Sequence, residues 1–370
     1  LKRRNPRLIV GVGGCVAQLQ GEAIRERSGV VDLLVGTRSF SRVPELLRQV
    51  RDGARDVVDL DRKADPFSVP DASVAHASSV RAYVTVMEGC NHVCSFCVVP
   101  RTRGPEVCRA PDAILGEVRS LVAKGCPEVM LLGQTVNAYR HGDVDFPALL
   151  ERVDGVPGLA RLRFTTSHPS HVGAGLVRAL RDLRTLCPYL HLPVQSGSNR
   201  ILSSMRRGYS REGYRKTVDL LREAVPDIAL SSDLIVGYPG ETEADFEATV
   251  DLVGEVGFDN LFVFAYSPRP GTTAHREGDP IPDEEKVRRL QVLNGQQQRR
   301  QALRHQAFVG ERVAVLVDTA TKPGRLAGRT RDFRIVHLGG PAELLGREVV
   351  VEVTSAGPNA LVGRIQQTIH

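Results

Sequence analysis

Three cysteines within eight positions constrain this chain more than any other feature: Cys90, Cys94 and Cys97, in the run GCNHVCSFCVVP (89–100), directly after a β-branched, strand-like segment. Seven cysteines in 370 residues is an odd count and too sparse for a disulfide scaffold, so the cluster points to metal or redox chemistry. Three thiolates can hold three irons of a cubane and leave the fourth open. An open iron can bind the amino and carboxylate groups of S-adenosylmethionine (SAM), and one electron then breaks a C–S bond to give a 5′-deoxyadenosyl radical. A zinc site would need a fourth ligand, Cys108 or His92, and the spacing C-x3-C-x2-C is not a usual zinc pattern. Phe96, inside the motif, can shield a cluster or flank adenine.

The cluster motif stands at the head of a regular alternation. Strand-like runs at Ala82–Met87, Glu128–Leu132, Arg161–Thr165, Tyr189–Leu192, Ile228–Val236 and Leu261–Tyr266 are separated by helical patterns. Six β–α repeats imply a parallel sheet, open or closed into a barrel, with any active site at the C-terminal ends of the strands. Before it, Arg7–Val12, a helical stretch from Ala17 to Arg27 and Val30–Val35 form a β–loop–α–β fragment of α/β character. After a polar helix beginning at Asp283, five short strands with glycine turns suggest a small all-β barrel of the OB type. The expected domains are 1–65, a Pro/Ser-rich linker 66–80, a core 81–306 and the terminal barrel 307–370. The chain opens on Leu1 with residues that already read as the middle of a folded unit, so an upstream segment is expected.

Polar loops recur where the strands end. GYPGET (237–242) is a glycine-rich turn before a helix, in which Gly237 and Gly240 allow close backbone approach and Glu241 opens the helix. The segments LLGQTVNAY, RFTTSHP and HLPVQSGS add Gln134, Asn137, Ser167, His168, His191, Gln195 and Ser198 as pocket candidates; each alone could equally be a cap. Cys15, directly after Gly13 and Gly14, could ligate a second cluster or pack as a small apolar residue. In the terminal barrel Lys322, Arg325, Arg329, Arg331 and Arg334 are opposed only by Asp332 and flank Phe333, a patch that could grip an RNA backbone or be a solvated face. The net charge of +6 permits a polyanionic partner without requiring one. No apolar run approaches the ~18–20 residues of a membrane span, and a cytoplasmic location is expected.

Together these motifs resemble the methylthiotransferase family of radical-SAM enzymes, closest to its tRNA-2-methylthio-N6-dimethylallyladenosine synthases. GCNHVCSFCVVPRTRG, LLGQTVNAY, RFTTSHP, HLPVQSGS, DLIVGYPGET and YSPRPGT occur in the family's order over nearly the whole chain. The resemblance implies an α/β protein with a partial (β/α)6 radical-SAM barrel, preceded by a partial methylthiotransferase domain and followed by a TRAM barrel. It implies SAM and two [4Fe-4S] clusters: one on Cys90, Cys94 and Cys97, the other on three N-terminal cysteines of which Cys15 matches the last. Phe96, Gln134, Ser167, Gln195, Gly237, Gly240 and Glu241 are the implied cofactor-binding residues. The implied reaction adds a methylthio group to C2 of N6-dimethylallyladenosine beside the anticodon in tRNA, with flavodoxin or ferredoxin as electron donor, an unnamed sulfur donor, no membrane and a monomeric state. Relatives that act on threonylcarbamoyladenosine or on a ribosomal-protein aspartate are the near alternatives, and an RNA-binding protein with a degenerate cluster domain the distant one. Arg101, Cys108 and Phe333 depart from the family pattern, the last where asparagine is usual.

Overall fold

The computed structural model describes residues 1–63, 65–67, 80–322 and 324–369. Residues 68–79, most of the stretch read as a linker (66–80), lie outside the described residues. The chain divides into two units: one gathers the N-terminal residues with 87–93 and 97–109, the other 80–86, 94–96 and 110–369.

In the first unit three short parallel strands, Gly11–Gly13 (β1), Leu33–Val35 (β2) and Val57–Asp59 (β3), pair in that order. Parallel neighbours need a crossover, supplied by the helices Cys15–Arg27 and Val43–Arg51. Leu33, Val35, Leu46 and Val57 form the core beneath them. The run Arg7–Val12 thus yields a strand only at its end. A two-stranded ribbon, Met87–Glu88 (β5) with Val107–Cys108 (β6), belongs to this unit. Arg38, almost fully buried, donates to the carbonyls of Arg62, Arg103 and Pro105, so one guanidinium ties the α/β layer to the segment that follows the cysteines.

The second unit carries six parallel strands: Arg81–Thr85 (β4), Glu128–Leu132 (β7), Arg161–Thr165 (β10), Tyr189–His191 (β11), Ala229–Val236 (β12) and Asn260–Ala265 (β13). A small antiparallel ribbon, Arg140–His141 (β8) with Val144–Asp145 (β9), follows β7. The ladders β4–β7–β10 and β11–β12–β13 are bridged at Leu162 and Leu186, giving one parallel succession in chain order. Among the described residues no ladder joins β4 to β13, so the curved sheet stays open, a partial barrel. Each strand is followed by a helix, and after the last of them the long helix Asp283–Gln306 packs along β13.

The helix Glu243–Val256 shows how local chemistry positions these pieces. Thr242 and Asp245 form a reciprocal capping box. The Asp245 carboxylate also accepts the Ser198 hydroxyl at 2.6 Å and pairs with Arg200, linking two βα loops. Burial alone would raise its pKa, but the hydrogen bonds from Arg200, Ser198 and Thr242 hold it well below the usual carboxylate range. We expect Asp245→Ala to cost about 2–3 kcal/mol at neutral pH, as charge-assisted bonds are lost. Because the folded pKa is depressed, this contribution is full above the unfolded value near ~3.9 and fades as pH falls through the folded one. Chemical denaturation of both proteins at pH 7 and pH 3 checks the sign.

The C-terminal strands Arg312–Lys322 (β14), Arg325–Thr330 (β15), Ile335–Gly339 (β16), Glu348–Ala356 (β17) and Leu361–Thr368 (β18) close into a barrel in the order β14–β15–β16–β18–β17. Period-two alternation sends Val349, Val351 and Val353 inward to meet Val315, Val317, Leu326, Val336 and Leu361. This barrel sits against the strand starts of the six-stranded array. Arg161 donates to the Arg329 carbonyl at 2.6 Å, and Arg163 to the Arg331 and Thr330 carbonyls at 2.7 and 2.9 Å. Phe333 stacks on Tyr189 at 4.8 Å, with the Arg163 guanidinium 4.7 Å from its ring centre.

Candidate active site

Strand β4 leads through Met87–Glu88 into the cysteine loop. Gly89 makes the turn: its φ is +84°, and a Cβ there would lie 2.1 Å from the Pro105 carbonyl oxygen, so no other residue fits. The Cys90 amide donates to the Gly104 carbonyl at 3.2 Å. Asn91 and Glu106 exchange three hydrogen bonds of 3.1 Å, and the Val99 amide points at the Cys97 sulfur.

The middle of the loop is held by the six-stranded unit. Ser95 is buried; its amide donates to the Met205 carbonyl, and its hydroxyl bonds the Ser204 carbonyl and the Tyr238 hydroxyl, both at 2.8 Å. Phe96 packs into a cluster of Ile201, Met205, Tyr238, Tyr266 and Ala274. It also forms a wall of a cleft of about 320 Å³, with Gln195, Asp233, Ile235, Phe264 and Arg269 among the other lining residues. The cleft opens at the C-terminal ends of β12 and β13.

The donor set suits an iron–sulfur cluster with an open iron. No cysteine is in a disulfide, and the three loop cysteines are partly exposed, whereas Cys126 and Cys187 are buried, with burial pushing their thiols up. The cleft suits a polar ligand: the buried hydroxyl of Tyr266, in its wall, has no hydrogen-bond partner among the described residues. Ser167, also buried, has a hydroxyl beside the end of β10 with no hydrogen-bond partner among the described residues.

The remaining sequence candidates divide. Gln195 lines the cleft with φ +76°, while its amide and carbonyl bond β12 on either side of Leu234. Gly237 and Gly240 both have positive φ, and a Cβ on Gly237 would lie 2.5 Å from Lys286. Glu241 turns inward: one carboxylate oxygen accepts the Gly237 amide and the Arg289 guanidinium, both at 2.6 Å, so it braces the turn from behind. Burial raises its pKa above the ordinary value, against the hydrogen bonds of Gly237 and Arg289. Ser198 is the cap of the helix Asn199–Ser204, and Asn137 clamps the His168 backbone with bonds of 3.0 and 2.8 Å. His191 bonds Ser231 and lies 3.4 Å from Asp233. Gln134 is half-buried just beyond β7, and Cys15 is half-buried at the first position of its helix. Asp233, Tyr266, Arg269 and the buried Arg207 escaped the sequence reading. Asp233 and Arg269 lie inside DLIVGYPGET and YSPRPGT and could have been flagged there, but Arg207 is one arginine among many.

The structure splits the basic patch of the terminal barrel. Arg329 pairs with Asp318 at 2.5 Å, Arg331 donates to the carbonyls of Arg184 and Leu186, and Arg334 pairs with Asp259 at 2.8 Å. These three guanidinia are engaged inside the molecule. Lys322 and Arg325, cross-strand neighbours at the β14–β15 hairpin, remain exposed.

Sequence comparison places this geometry in a class. Residues 84–253 match the radical SAM superfamily and residues 306–365 the TRAM domain. The fold is similar to the radical S-adenosylmethionine methyltransferase TsrM from Kitasatospora setae, with a TM-score of 0.57 at 18% identity over 74% of this chain and 58% of that one. The molecule is therefore a radical-SAM protein, the class whose chemistry runs on a [4Fe-4S] cluster and SAM, with a TRAM barrel attached. Closer relatives narrow it. The tRNA-2-methylthio-N(6)-dimethylallyladenosine synthase of Bordetella petrii is 46% identical over 99% of this chain and 78% of its own length, and that of Chromobacterium violaceum 45% identical over 98% and 83%. The chain belongs to this family of tRNA methylthiotransferases.

Proposed function

We propose that the chain adds a methylthio group to C2 of N6-dimethylallyladenosine beside the tRNA anticodon. The observation that carries this is the cysteine loop anchored through Ser95 and Phe96 beside a mixed polar and aromatic cleft, in a chain of this family. Cys90, Cys94 and Cys97 would hold the cluster, which together with SAM supplies the one-electron chemistry that opens an unactivated C–H bond. The protein's own task is orientation and exclusion of water. Phe96, Ile235 and Phe264 provide apolar walls, the Gly237–Gly240 turn brings backbone close to a ligand, and Gln195, Asp233 and Tyr266 present polar groups that fix its direction. Glu241 keeps the turn in shape. An unstacked anticodon-loop base suits such a cleft because bases are read most fully outside a duplex.

The finer assignments follow the same reading. Cys15 is proposed as one ligand of a second cluster, and a flavodoxin or ferredoxin as electron donor. The enzyme acts as a cytoplasmic monomer; among the described residues no helix is long and apolar enough to cross a membrane. Of the barrel's basic patch, Lys322 and Arg325 are proposed to meet phosphates, a reading supported by their exposure. Their double alanine variant is expected to weaken tRNA binding in 100 mM salt and to flatten the salt dependence by about one unit of slope per lost contact. Arg331→Ala should leave that slope unchanged; filter binding across a salt series distinguishes the two.

The functional test is expression in a bacterium lacking its own enzyme of this kind. Restoration of 2-methylthio-N6-dimethylallyladenosine in its tRNA supports the assignment. A methylthio group found instead on threonylcarbamoyladenosine would move the substrate to the sister family.

A further inference from the structure

Arg207 is a buried cation that pairs with no carboxylate among the described residues. Its side chain is 7% exposed, and the guanidinium is fixed at all three nitrogens: Nε donates to the Tyr209 hydroxyl at 2.9 Å, Nη2 to the Pro193 carbonyl at 3.1 Å and Nη1 to the Cys94 sulfur at 3.3 Å. Tyr209 is itself anchored on the Pro193 and Val194 carbonyls. The similarly buried Arg81, Arg163 and Arg289 each face a carboxylate. The acceptors that meet its three nitrogens are the Tyr209 hydroxyl, the Pro193 carbonyl and the Cys94 sulfur. Burying a guanidinium is costly unless its N–H groups are met, and here one of the three groups that meet it is the Cys94 sulfur.

We propose that Arg207 is a positioning residue for the cluster, fixing the Cys94 thiolate and raising the cluster's reduction potential through a charge-assisted N–H···S bond. This rests on the assignment of Cys90, Cys94 and Cys97 as ligands. Reduction by a low-potential one-electron donor adds one negative charge to the site and makes or breaks no bond at Arg207. A fixed cation bonded to a ligand sulfur favours the more negative, reduced form, and hydrogen bonds to sulfur are among the levers that set cluster potentials. Arg207 touches neither SAM nor substrate in this account. Its rigid three-way fork also explains why arginine stands here: lysine offers a single ammonium that cannot meet the hydroxyl, the carbonyl and the sulfur together.

The test is an EPR-monitored redox titration of the anaerobically reconstituted chain, following the cluster signal that added SAM perturbs, with iron content and SAM affinity measured in parallel. Arg207→Met is expected to retain iron and to shift the midpoint negative by at least the equivalent of a tenfold change in the reduced-to-oxidised ratio, 59 mV for one electron. Arg207→Lys should fall between the two. Tyr209→Phe, which removes only the hydroxyl holding Nε, should shift in the same direction by less, and it decides the matter if Arg207→Met fails to fold or load. Unchanged potentials in iron-loaded variants would overturn the proposal, as would a loss of SAM affinity with the potential unmoved. Should the parent chain itself take up no iron, the ligand assignment falls and this inference with it.

Discussion

Replacing any one of Cys90, Cys94 and Cys97 by alanine is expected to abolish the SAM-responsive cluster and to reduce SAM cleavage to background. A cubane with a free iron has only three protein ligands, so none can be spared. The structure supplies the contrast that makes this informative. Cys126 and Cys187 are buried at 4% and 1% exposure, with thiols pushed up by burial, and act as small core residues. Alanine at either should leave iron content and cleavage largely intact and lower stability by about 1–2 kcal/mol through lost packing. Iron and sulfide analysis with quantified deoxyadenosine reads both sets. Retention of the SAM-responsive signal in Cys94→Ala would remove the loop from the active site.

The largest structural effect is expected at Glu128. Its carboxylate is fully buried at the start of β7, in register between Arg81 on β4 and Arg161 on β10. It pairs with Arg81 and accepts from Arg163 at 3.0 Å, while the same arginines reach Asp318 and the Thr330 and Arg331 carbonyls of the terminal barrel. Glu128 is thus the central anion of a network joining the two modules. Burial raises its pKa, but the charges of Arg163 and Arg81 outweigh that and hold it below the ordinary carboxylate value. Glu128→Ala leaves two buried guanidinia undercompensated, and a loss of about 3–5 kcal/mol is expected. The urea midpoint should fall accordingly with the slope unchanged. Since the folded pKa is depressed, the contribution is complete above ~4.3 and is lost as pH falls through the folded value, so parent and variant should converge in acid. A deficit under about 1 kcal/mol at neutral pH would show that the network adds little.

The two predictions mark where the sequence is legible and where it is not. The six core strands stand out because each is a short run carrying apolar residues that gives way to a polar or glycine-rich loop, and the valines at 349, 351 and 353 announce a strand with one buried face. The cysteine loop is legible because its chemistry is local, three donors at fixed spacing. The network around Glu128 is not. Arg81, Glu128, Arg161 and Arg163 are charged residues at strand starts, which in isolation read as solvated ends; they are buried only because a barrel more than a hundred residues downstream covers them. Part of the basic run in that barrel is likewise engaged by partners that its sequence does not announce. Arg329, Arg331 and Arg334 share the sign expected of an RNA-binding face, yet their heads are engaged by Asp318, two backbone carbonyls and Asp259. Phe333, a departure from the family pattern, is filled in by Tyr189 and three guanidinia. Arg207 is hidden for the same reason: its partner Cys94 lies 113 positions earlier.

The most direct test of the central claim is a reconstituted reaction. The chain, loaded with iron and sulfide without oxygen, is given SAM, a one-electron reductant and tRNA bearing N6-dimethylallyladenosine, and the digested nucleosides are examined by mass spectrometry. The account predicts a mass gain of one methylthio group on that nucleoside, absent with Cys94→Ala. Cleavage of SAM with the nucleoside unchanged would contradict it.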